Sequence, residues 1–361
     1  MEFLLEGLLG ITWKTVVMWA LGALLIYLAI RKEMEPTLLL PIGFGAILVN
    51  IPGVNFGALQ TLYDAGIANE LFPLLLFIGI GAMIDFGPLL SNPKLMIFGA
   101  AAQFGIFMTL CLASMFFDIN DAASIAIIGA ADGPSAIAVA IALGSKYLGA
   151  IMVAAYSYMA LVPIIQPPII KLLTTKKERR IRMEYKPATV SKRTRILFPI
   201  VILMIAALVA PGSAELIFFL MFGNLIRECG VLNSLSETAQ NVLANLVTIF
   251  LGISIASQME AEKFLAPETL LILGLGLFAF VFDTAGGVLF AKFLNPFLKK
   301  KINPMIGAAG ISAFPMAGRI VHKLGQEEDK YNFLLMHSIG VNVSGQIASV
   351  IASGLILGFF G

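Results

Sequence analysis

The chain has 361 residues, of which 59% are hydrophobic and 13% are charged, and its mean hydropathy is +0.93. A soluble globular protein carries about 25% charged residues, so this composition excludes that class and predicts a protein that lies mostly within a membrane. The net charge of +2 gives no reason to expect a nucleic-acid partner. The two histidines and two cysteines have no metal-ligand spacing, which argues against a zinc site or a disulfide framework.

Ten apolar runs follow one another along the chain, and most approach the length of about 20 residues that a membrane-spanning helix needs. They cover residues 12–31, 37–54, 67–92, 94–117, 148–172, 196–211, 214–228, 236–258, 268–293 and 331–360. The sequence therefore predicts an all-α polytopic membrane protein with about ten transmembrane helices. Two further stretches, 121–143 and 303–323, are apolar but rich in Gly, Ala, Ser and Pro, and we expect each to form a re-entrant hairpin or a broken spanning helix.

Basic residues in the loops indicate the orientation of the chain. The segment 171–195 holds ten Lys and Arg residues against two Glu, and Lys292 with residues 299–301 forms a second basic cluster. Both clusters fall on the cytoplasmic side if the two interrupted stretches are hairpins, the first entering from outside and the second from inside. We therefore favour hairpins in a multi-pass protein of the inner (plasma) membrane, with a broken full-length helix as the alternative at each stretch.

An internal repeat supports this arrangement. Three pairs of segments resemble each other in the same order: FIGIGAMIDF at 77–86 with FLGISIASQM at 250–259, IGAADGPSA at 128–136 with IGAAGISA at 306–313, and SKYLGAIMVAAYSY at 145–158 with DKYNFLLMHSIGVN at 329–342. The hairpin topology makes this an inverted repeat, which is typical of ion-coupled transport sites. The predicted units are N-terminal membrane helices 1–65, repeat unit 66–175, basic cytoplasmic loop 176–195, connecting helices 196–235 and repeat unit 236–361.

Asp132 is the strongest candidate for chemistry, because it lies in GAADGPSA with apolar sequence on both sides. A charged side chain at the bilayer centre costs about 2.5–3.5 kcal/mol and usually serves a function. Gly133 and Pro134 break the helix, so nearby carbonyl groups lose their helical partners. A carboxylate and free carbonyls are hard oxygen ligands, suited to Na⁺ or to proton exchange. The alternative is an aspartate that only caps a helix after a kink.

Polar side chains in the second unit could complete such a site. Ser312 lies in the matching segment GAAGISAF and could face Asp132, or it could bond back to its own helical turn. Asn342 stands in GVNVSGQIASVIASG, and its repeat partner is Tyr158, so we expect these two side chains to meet near the axis that relates the units. Close helix packing is the alternative role for this polar stretch, and we favour it for the serines.

Three other charged residues have open roles. Asp85 lies near the cytoplasmic end of its span, where capping explains it as well as function does. Asp283 is deeper and could relay protons, pair with Arg319 or form a packing hydrogen bond. Arg319 is either a positive-inside anchor or a ligand for an anionic carboxylate that arrives from the cytosol.

Four segments resemble a known family: GAADGPSAIAVA, AAYSYMALVPIIQPPI, NPMIGAAGISAFPMAGR and NFLLMHSIGVNVSGQIASVIASG. They are similar to the beta subunit of sodium-translocating, biotin-dependent decarboxylases, which act on oxaloacetate, methylmalonyl-CoA, glutaconyl-CoA or malonate, and the similarity runs from about residue 65 to the C-terminus. The resemblance implies that carboxybiotin on a soluble carrier is decarboxylated at this subunit. The reaction consumes a proton and drives Na⁺ outward.

The resemblance also implies roles for single residues. It implies a Na⁺ path that contains Asp132, Tyr158, Asn303, Ser312 and Asn342. It implies that Asp132 is the central Na⁺ and proton site and that Arg319, on the carboxybiotin side, acts with it in catalysis. The expected partners are soluble carboxyltransferase and biotin carrier subunits, a small membrane subunit and further copies of this chain. A sodium–proton antiporter or sodium–solute symporter is the alternative function, and a non-catalytic membrane anchor is a third.

Overall fold

The computed structural model describes residues 10–54, 56–185 and 190–361, and within these ranges the chain is helical with no β-strand. The all-α prediction is therefore confirmed for the described residues. The first nine residues of the predicted N-terminal unit and residues 186–189 of the predicted basic loop lie outside them. In chain order the α-helices are α1 Trp13–Lys32, α2 Pro36–Val49, α3 Gly57–Gly66, α4 Leu71–Met83, α5 Gly87–Ser91, α6 Met96–Ala102, α7 Phe104–Ala113, α8 Ile119–Ala126, α9 Gly133–Ala142, α10 Leu148–Leu173, α11 Lys176–Arg179, α12 Lys192–Val209, α13 Ala214–Glu228, α14 Asn233–Glu237, α15 Ala244–Ala256, α16 Ala261–Phe264, α17 Pro267–Leu294, α18 Met316–Glu328 and α19 Leu335–Phe360.

Six stretches of the described chain are long and apolar enough to cross a membrane. They are Trp13–Lys32, Pro93–Ala113, Leu148–Leu173, Asn233–Ala256, Pro267–Phe297 and Leu335–Phe360. The pair α3 and α4, bent by 63°, would make a seventh. The remaining predicted spans coincide with α2 and α13, which have 14 and 15 residues, and with α12, whose first turn carries three basic residues. The number ten stays a prediction.

The two halves of the chain are interlocked by matching helix contacts. Helix α2 of the first half packs on α15 of the second, and α13 of the second half packs on α4 of the first. In the same way α10 packs on α17, and α19 packs on α6. Backbones approach closely at small residues, since a side chain at Gly81 of α4 or at Gly223 of α13 would collide with a carbonyl group of the facing helix. Helices from the two halves of the chain therefore pack directly on one another in each of these four pairs.

Candidate functional site

The first interrupted stretch folds back on itself. Its two ends meet where Asp121 accepts hydrogen bonds from the Ser145 hydroxyl, at 2.8 Å, and from the backbone N–H of Lys146, at 3.1 Å. At the tip of this stretch a 3-10 turn, Ile127–Ala130, leads into Ala131, whose φ of 54° is left-handed. Ala131 ends the helical segment, and α9 begins two residues later at Gly133. We call residues 119–142 the first hairpin, and its residues 121–140 are all buried.

The second interrupted stretch also returns to its starting point. The side-chain amide groups of Asn303 and Asn332 each donate a hydrogen bond of 2.8 Å to the same acceptor, the carbonyl oxygen of Arg179. Between them the chain runs through the 3-10 segment Pro304–Gly310, an irregular turn and α18. We call residues 303–332 the second hairpin. Its ends lie together at the basic loop, whereas a spanning helix would separate them.

The tips of the two hairpins touch. The backbone N–H of Ser312 donates to the carbonyl of Ala130 at 3.2 Å, which joins the unwound segments directly. The hydroxyl of Ser312 donates to the carbonyl of Gly345 on α19 at 3.1 Å. A side chain at Gly345 would collide with the carbonyl of Gly310, so only glycine lets α19 lie this close to the second hairpin. These contacts place Ser312 next to the segment that carries Asp132, and its role as an ion ligand stays a prediction.

Asp132 follows the break in the first hairpin and is 3% exposed. Its Oδ2 atom accepts a hydrogen bond from the Ser135 hydroxyl at 2.7 Å. Two longer bonds come from α19, from the Gln346 amide and the Ser349 hydroxyl, both at 3.4 Å. The carboxylate is thus enclosed by protein and surrounded by neutral polar groups, with no basic side chain bonded to it in the described chain. Such a pocket can exchange a cation for a proton, because nothing in it already neutralises the carboxylate.

One face of α19 forms hydrogen bonds with both hairpins. Asn342 donates to the carbonyl of Ile311 in the second hairpin at 2.7 Å, and Gln346 and Ser349, one and two turns further on, reach Asp132 in the first. Positions separated by four and seven residues share a helix face. The Oδ1 atom of Asn342 has no partner within the described residues, so one buried acceptor at the meeting point is unused.

The positions of Tyr156 and Tyr158 differ from the arrangement that the sequence analysis predicts, in which Tyr158 belongs to the site. Tyr158 packs against a buried apolar cluster that includes Ala131 and Ile311, from the tips of both hairpins, but its hydroxyl donates to the carbonyl of Leu273 at 2.5 Å. The ring of Tyr156 lies against Gly133, next to Asp132, and its fully buried hydroxyl has no partner in the described part of the chain. The structure therefore offers Tyr156, which the sequence analysis did not single out, as a hydroxyl beside the acid.

Two other predicted site residues lie away from Asp132. Asn303 sits at the base of the second hairpin, where its Nδ2 donates to the loop carbonyls of Arg179 and Ile181. Arg319, on α18, is exposed, and in the described chain its guanidinium forms no hydrogen bond. Burial raises the pKa of the nearby Glu35 carboxyl, and the charge of Arg319 opposes that rise.

The two aspartates with open roles have structural partners. Asp85 accepts from the backbone N–H of Gly87, the first residue of α5, at 2.8 Å and pairs with Arg195, at the end of the basic loop, at 3.4 Å. The Oδ1 atom of Asp283 accepts from the backbone N–H of Gly105 at 2.5 Å. That bond satisfies a donor at the break between α6 and α7, which matches the hydrogen-bonding alternative for Asp283.

Sequence reasoning assigned Ser349 to packing and gave Gln346 no separate role. The signal that could have found them is the polar stripe on α19, in which Asn342, Gln346 and Ser349 share one face with Gly345. The spacing alone says that these residues face together. It does not say which of them reaches the carboxylate of the other unit.

Comparison with known proteins gives a family match along nearly the whole chain. Residues 14–360 match the family model described as the Na⁺-transporting oxaloacetate decarboxylase beta subunit. The chain is 46% identical to the oxaloacetate decarboxylase beta chain of Haemophilus ducreyi, over 97% of this chain and 96% of the relative. It is 47% identical to the methylmalonyl-CoA decarboxylase subunit beta of Propionigenium modestum, over 98% and 97%. It is 48% identical to the glutaconyl-CoA decarboxylase subunit beta of Acidaminococcus fermentans, over 99% and 96%.

Proposed function

Because the chain belongs to the family of Na⁺-transporting oxaloacetate decarboxylase beta subunits, we propose that it decarboxylates carboxybiotin, consumes a proton in doing so and transports Na⁺ outward. The resemblance drawn from the sequence is confirmed by this membership, which favours a decarboxylase subunit over a sodium-coupled secondary transporter. The observation that carries the proposal is the buried Asp132 carboxylate where the tips of two hairpins meet.

The proposed architecture has ten spans and two re-entrant hairpins in an inverted repeat. The contacts of α2 with α15 and of α13 with α4 support it, since the two-fold axis of an inverted repeat would exchange these pairs. They also suggest that α1 and α2 correspond to α12 and α13, so that each repeat unit includes helices that the sequence division left outside it. The basic loop 171–195 is proposed to be cytoplasmic, in an inner (plasma) membrane. The second hairpin then enters from the cytoplasm and the first from outside.

Asp132 is proposed to bind Na⁺ and the proton in turn. The neutral side chains bonded to its carboxylate are Ser135, Gln346 and Ser349, and the Tyr156 hydroxyl lies beside it. Ser312 and Asn342 lie where the second hairpin meets α19 and are proposed to belong to the Na⁺ path. A carboxylate supplies the only full negative charge in this set, so it is the largest attraction for the cation. Protonation removes that charge and releases Na⁺. Proton uptake and Na⁺ release are therefore coupled at one side chain.

The carboxybiotin end of the reaction is assigned to Arg319. Its exposed guanidinium, free of hydrogen bonds in the described chain, fits an anionic carboxyl group that comes from solution. Carboxybiotin supplies a carboxyl group that leaves as CO₂, while the nitrogen that carried it keeps the electron pair and takes up a proton. The role of the chain is to hold that group near Arg319 and to deliver the proton from the Asp132 site.

Outward transport requires the site to face one side at a time. Moving one charge against the membrane potential costs about 2.3 kcal/mol per 100 mV, and a site open to both sides would dissipate the gradient. The Ser312 N–H bond to the carbonyl of Ala130 joins the two hairpin tips, and Asn342 of α19 donates to Ile311 in the second hairpin. We propose that movement of the hairpins against the surrounding helices switches access to the site.

The proposed partners are a soluble carboxyltransferase, a biotin carrier that presents carboxybiotin, a small membrane subunit and further copies of this chain. The beta-subunit family supports membership in a multi-subunit decarboxylase. The similar relatives are named for different acyl substrates. We therefore assign the choice of acyl substrate to the carboxyltransferase and not to the membrane site.

The test uses the whole decarboxylase complex in sealed vesicles with ²²Na⁺. We expect Na⁺ transport that needs the decarboxylation substrate and stops when avidin captures biotin. Asp132→Asn should abolish both transport and turnover, and Asp283→Asn is the matched control for loss of a buried carboxyl group. Na⁺ exchange by this chain alone, unaffected by avidin, would establish a secondary transporter instead. Full turnover in Asp132→Asn would indicate a passive anchor.

A further inference from the structure

One arginine of the basic loop is buried, although its neighbours Lys177 and Arg180 are exposed. Arg179 is 6% exposed and forms a two-nitrogen contact with Glu328, through Nε at 2.7 Å and Nη2 at 2.6 Å. Its Nη1 donates to the carbonyl of Thr174 at 2.6 Å. Burying a guanidinium is costly unless it is paired and hydrogen-bonded, and here both conditions hold. A basic residue that only orients the chain in the membrane can be exposed, so orientation does not explain why Arg179 is buried.

The backbone of the same arginine holds both ends of the second hairpin. Its carbonyl oxygen accepts from Asn303 at the start of the hairpin and from Asn332 at its end. The second hydrogen of the Asn303 amide goes to the carbonyl of Ile181 at 2.9 Å, and its Oδ1 accepts from the N–H of Met305 at 3.1 Å. The amide nitrogen of Asn303 therefore joins the hairpin to the loop, while its oxygen caps the first turn of the hairpin.

Ion pairs around Arg179 reinforce this junction. Arg182 contacts both carboxylate oxygens of Asp329, at 2.6 and 3.0 Å, and Lys292 pairs with Glu178 at 3.2 Å. The hydrogen bond from Arg179 lowers the pKa of Glu328, and the bond from Arg182 lowers the pKa of Asp329. Both carboxyl groups thus stay ionised and paired at neutral pH.

We propose that Arg179 is a positioning residue for ion transport, and that with Asn303, Glu328 and Asn332 it forms a clamp that fixes the base of the second hairpin. The first arm of this hairpin is a 3-10 segment, which has weaker internal hydrogen bonds than an α-helix. The 3-10 segment alone does not fix the orientation of the hairpin. The clamp therefore determines where Ser312, at the tip of the second hairpin, meets the first hairpin. Asn303 acts in the clamp and not as an ion ligand. The proposal rests on the proposed function of Asp132.

The first experiment measures the Na⁺ concentration for half-maximal decarboxylation by the whole complex in vesicles. Arg179→Gln and Glu328→Gln should each raise it by about tenfold or more, because each leaves a charged partner unpaired. The double variant should be no worse than either single one, since both remove the same contact. Arg179→Lys should recover part of the loss. Lys177→Gln, which removes one exposed positive charge from the same helix, should match the unmodified protein.

The second experiment distinguishes a clamp from an ion ligand at Asn303. Asn303→Asp and Asn303→Leu both lose the two amide hydrogens, so both should raise the Na⁺ requirement. Asn303→Asp should raise it at least as much as Asn303→Leu, because its carboxylate would face the carbonyl oxygens of Arg179 and Ile181, and Arg179→Gln should add nothing to either. If Asn303 binds Na⁺, Asn303→Asp keeps a charged oxygen ligand and should retain Na⁺ affinity that Asn303→Leu loses. That outcome would overturn the clamp, whether or not Arg179→Gln yields folded protein.

The failure of the clamp and the failure of the proposed function give different results. If Arg179→Gln shows the unmodified Na⁺ requirement while Asp132→Asn is inactive, the clamp is wrong and the ion site stands. If the unmodified complex moves no Na⁺, the proposed function itself is wrong.

Discussion

The two hairpins have the same plan but different chemistry. The first is wholly buried from 121 to 140, carries the acid and is joined at its base by Asp121. The ion pair at its base, between Lys146 and Asp118, has side chains that are 72% and 81% exposed. The second carries no acid at its tip, has an exposed arginine on α18 and is joined at its base by Arg179 and Glu328, whose side chains are 8% and 15% exposed.

This difference indicates that the two hairpins have different functions. A charge in the membrane must be enclosed by well-packed protein, and the first hairpin provides that enclosure for Asp132. The second supplies backbone and hydroxyl groups, and one face of its helix α18, with Arg319, Lys323 and Glu327, is exposed. It needs a strong anchor at the base because its first arm is irregular. The following predictions test this contrast, from the largest expected effect to the smallest.

Gly345→Ala should have the largest effect of these substitutions, because its new methyl group meets the carbonyl of Gly310 and pushes the second hairpin away from α19. Such overpacking costs about 1–3 kcal/mol. We expect a lower Tm and at least tenfold slower Na⁺-dependent turnover. Gly358→Ala on the same helix meets nothing within 4 Å and is the matched control. Normal turnover in Gly345→Ala would mean that the close contact between α19 and Gly310 of the second hairpin is not needed for turnover.

Gln346→Ala and Ser349→Ala should each raise the half-maximal Na⁺ concentration by about fivefold, the effect of one lost polar contact of about 1 kcal/mol. Both side chains reach Asp132. Ser353→Ala is the control, because its hydroxyl bonds only to the carbonyl of Ser349 in its own helix. Equal Na⁺ curves for all three variants would remove α19 from the ion site.

Ser312→Ala should have a smaller effect, about threefold in the same measurement, since its hydroxyl donates to a neutral carbonyl while its backbone bond to Ala130 remains. If Ser312→Ala instead abolishes turnover, the hydroxyl is a direct Na⁺ ligand and the second hairpin has a larger share of the site than this contrast assigns to it.

Asp118→Asn should have no measurable effect on turnover or on the Na⁺ requirement, because its ion pair with Lys146 is exposed and screened by water and salt. Glu328→Gln at the base of the second hairpin is the comparison. Equal losses in the two variants would show that the bases of the hairpins are alike, against the contrast drawn above.

The sequence predicted the all-helical fold, both interrupted stretches and Asp132, because composition and helix breakers act locally. It did not select Tyr156 over Tyr158 as the residue beside Gly133, since two positions on one helix differ only in the face that they present. It could not place Asn303 at Arg179 either, because that contact joins residues 124 positions apart across a loop. Family resemblance predicted what the chain does, but the direction of each side chain depends on tertiary packing.

The most direct test is the reaction of the buried carboxyl groups with a hydrophobic carbodiimide, with the modified residues identified by mass spectrometry. Carbodiimides react with protonated carboxyl groups in apolar surroundings, so a bound Na⁺ should protect its own site. We predict that Asp132 is modified at least tenfold more slowly when Na⁺ replaces choline, while modification of Asp283 is unchanged. Equal modification of Asp132 in both salts, or protection of Asp283 instead, would contradict the proposal that Asp132 exchanges Na⁺ for a proton.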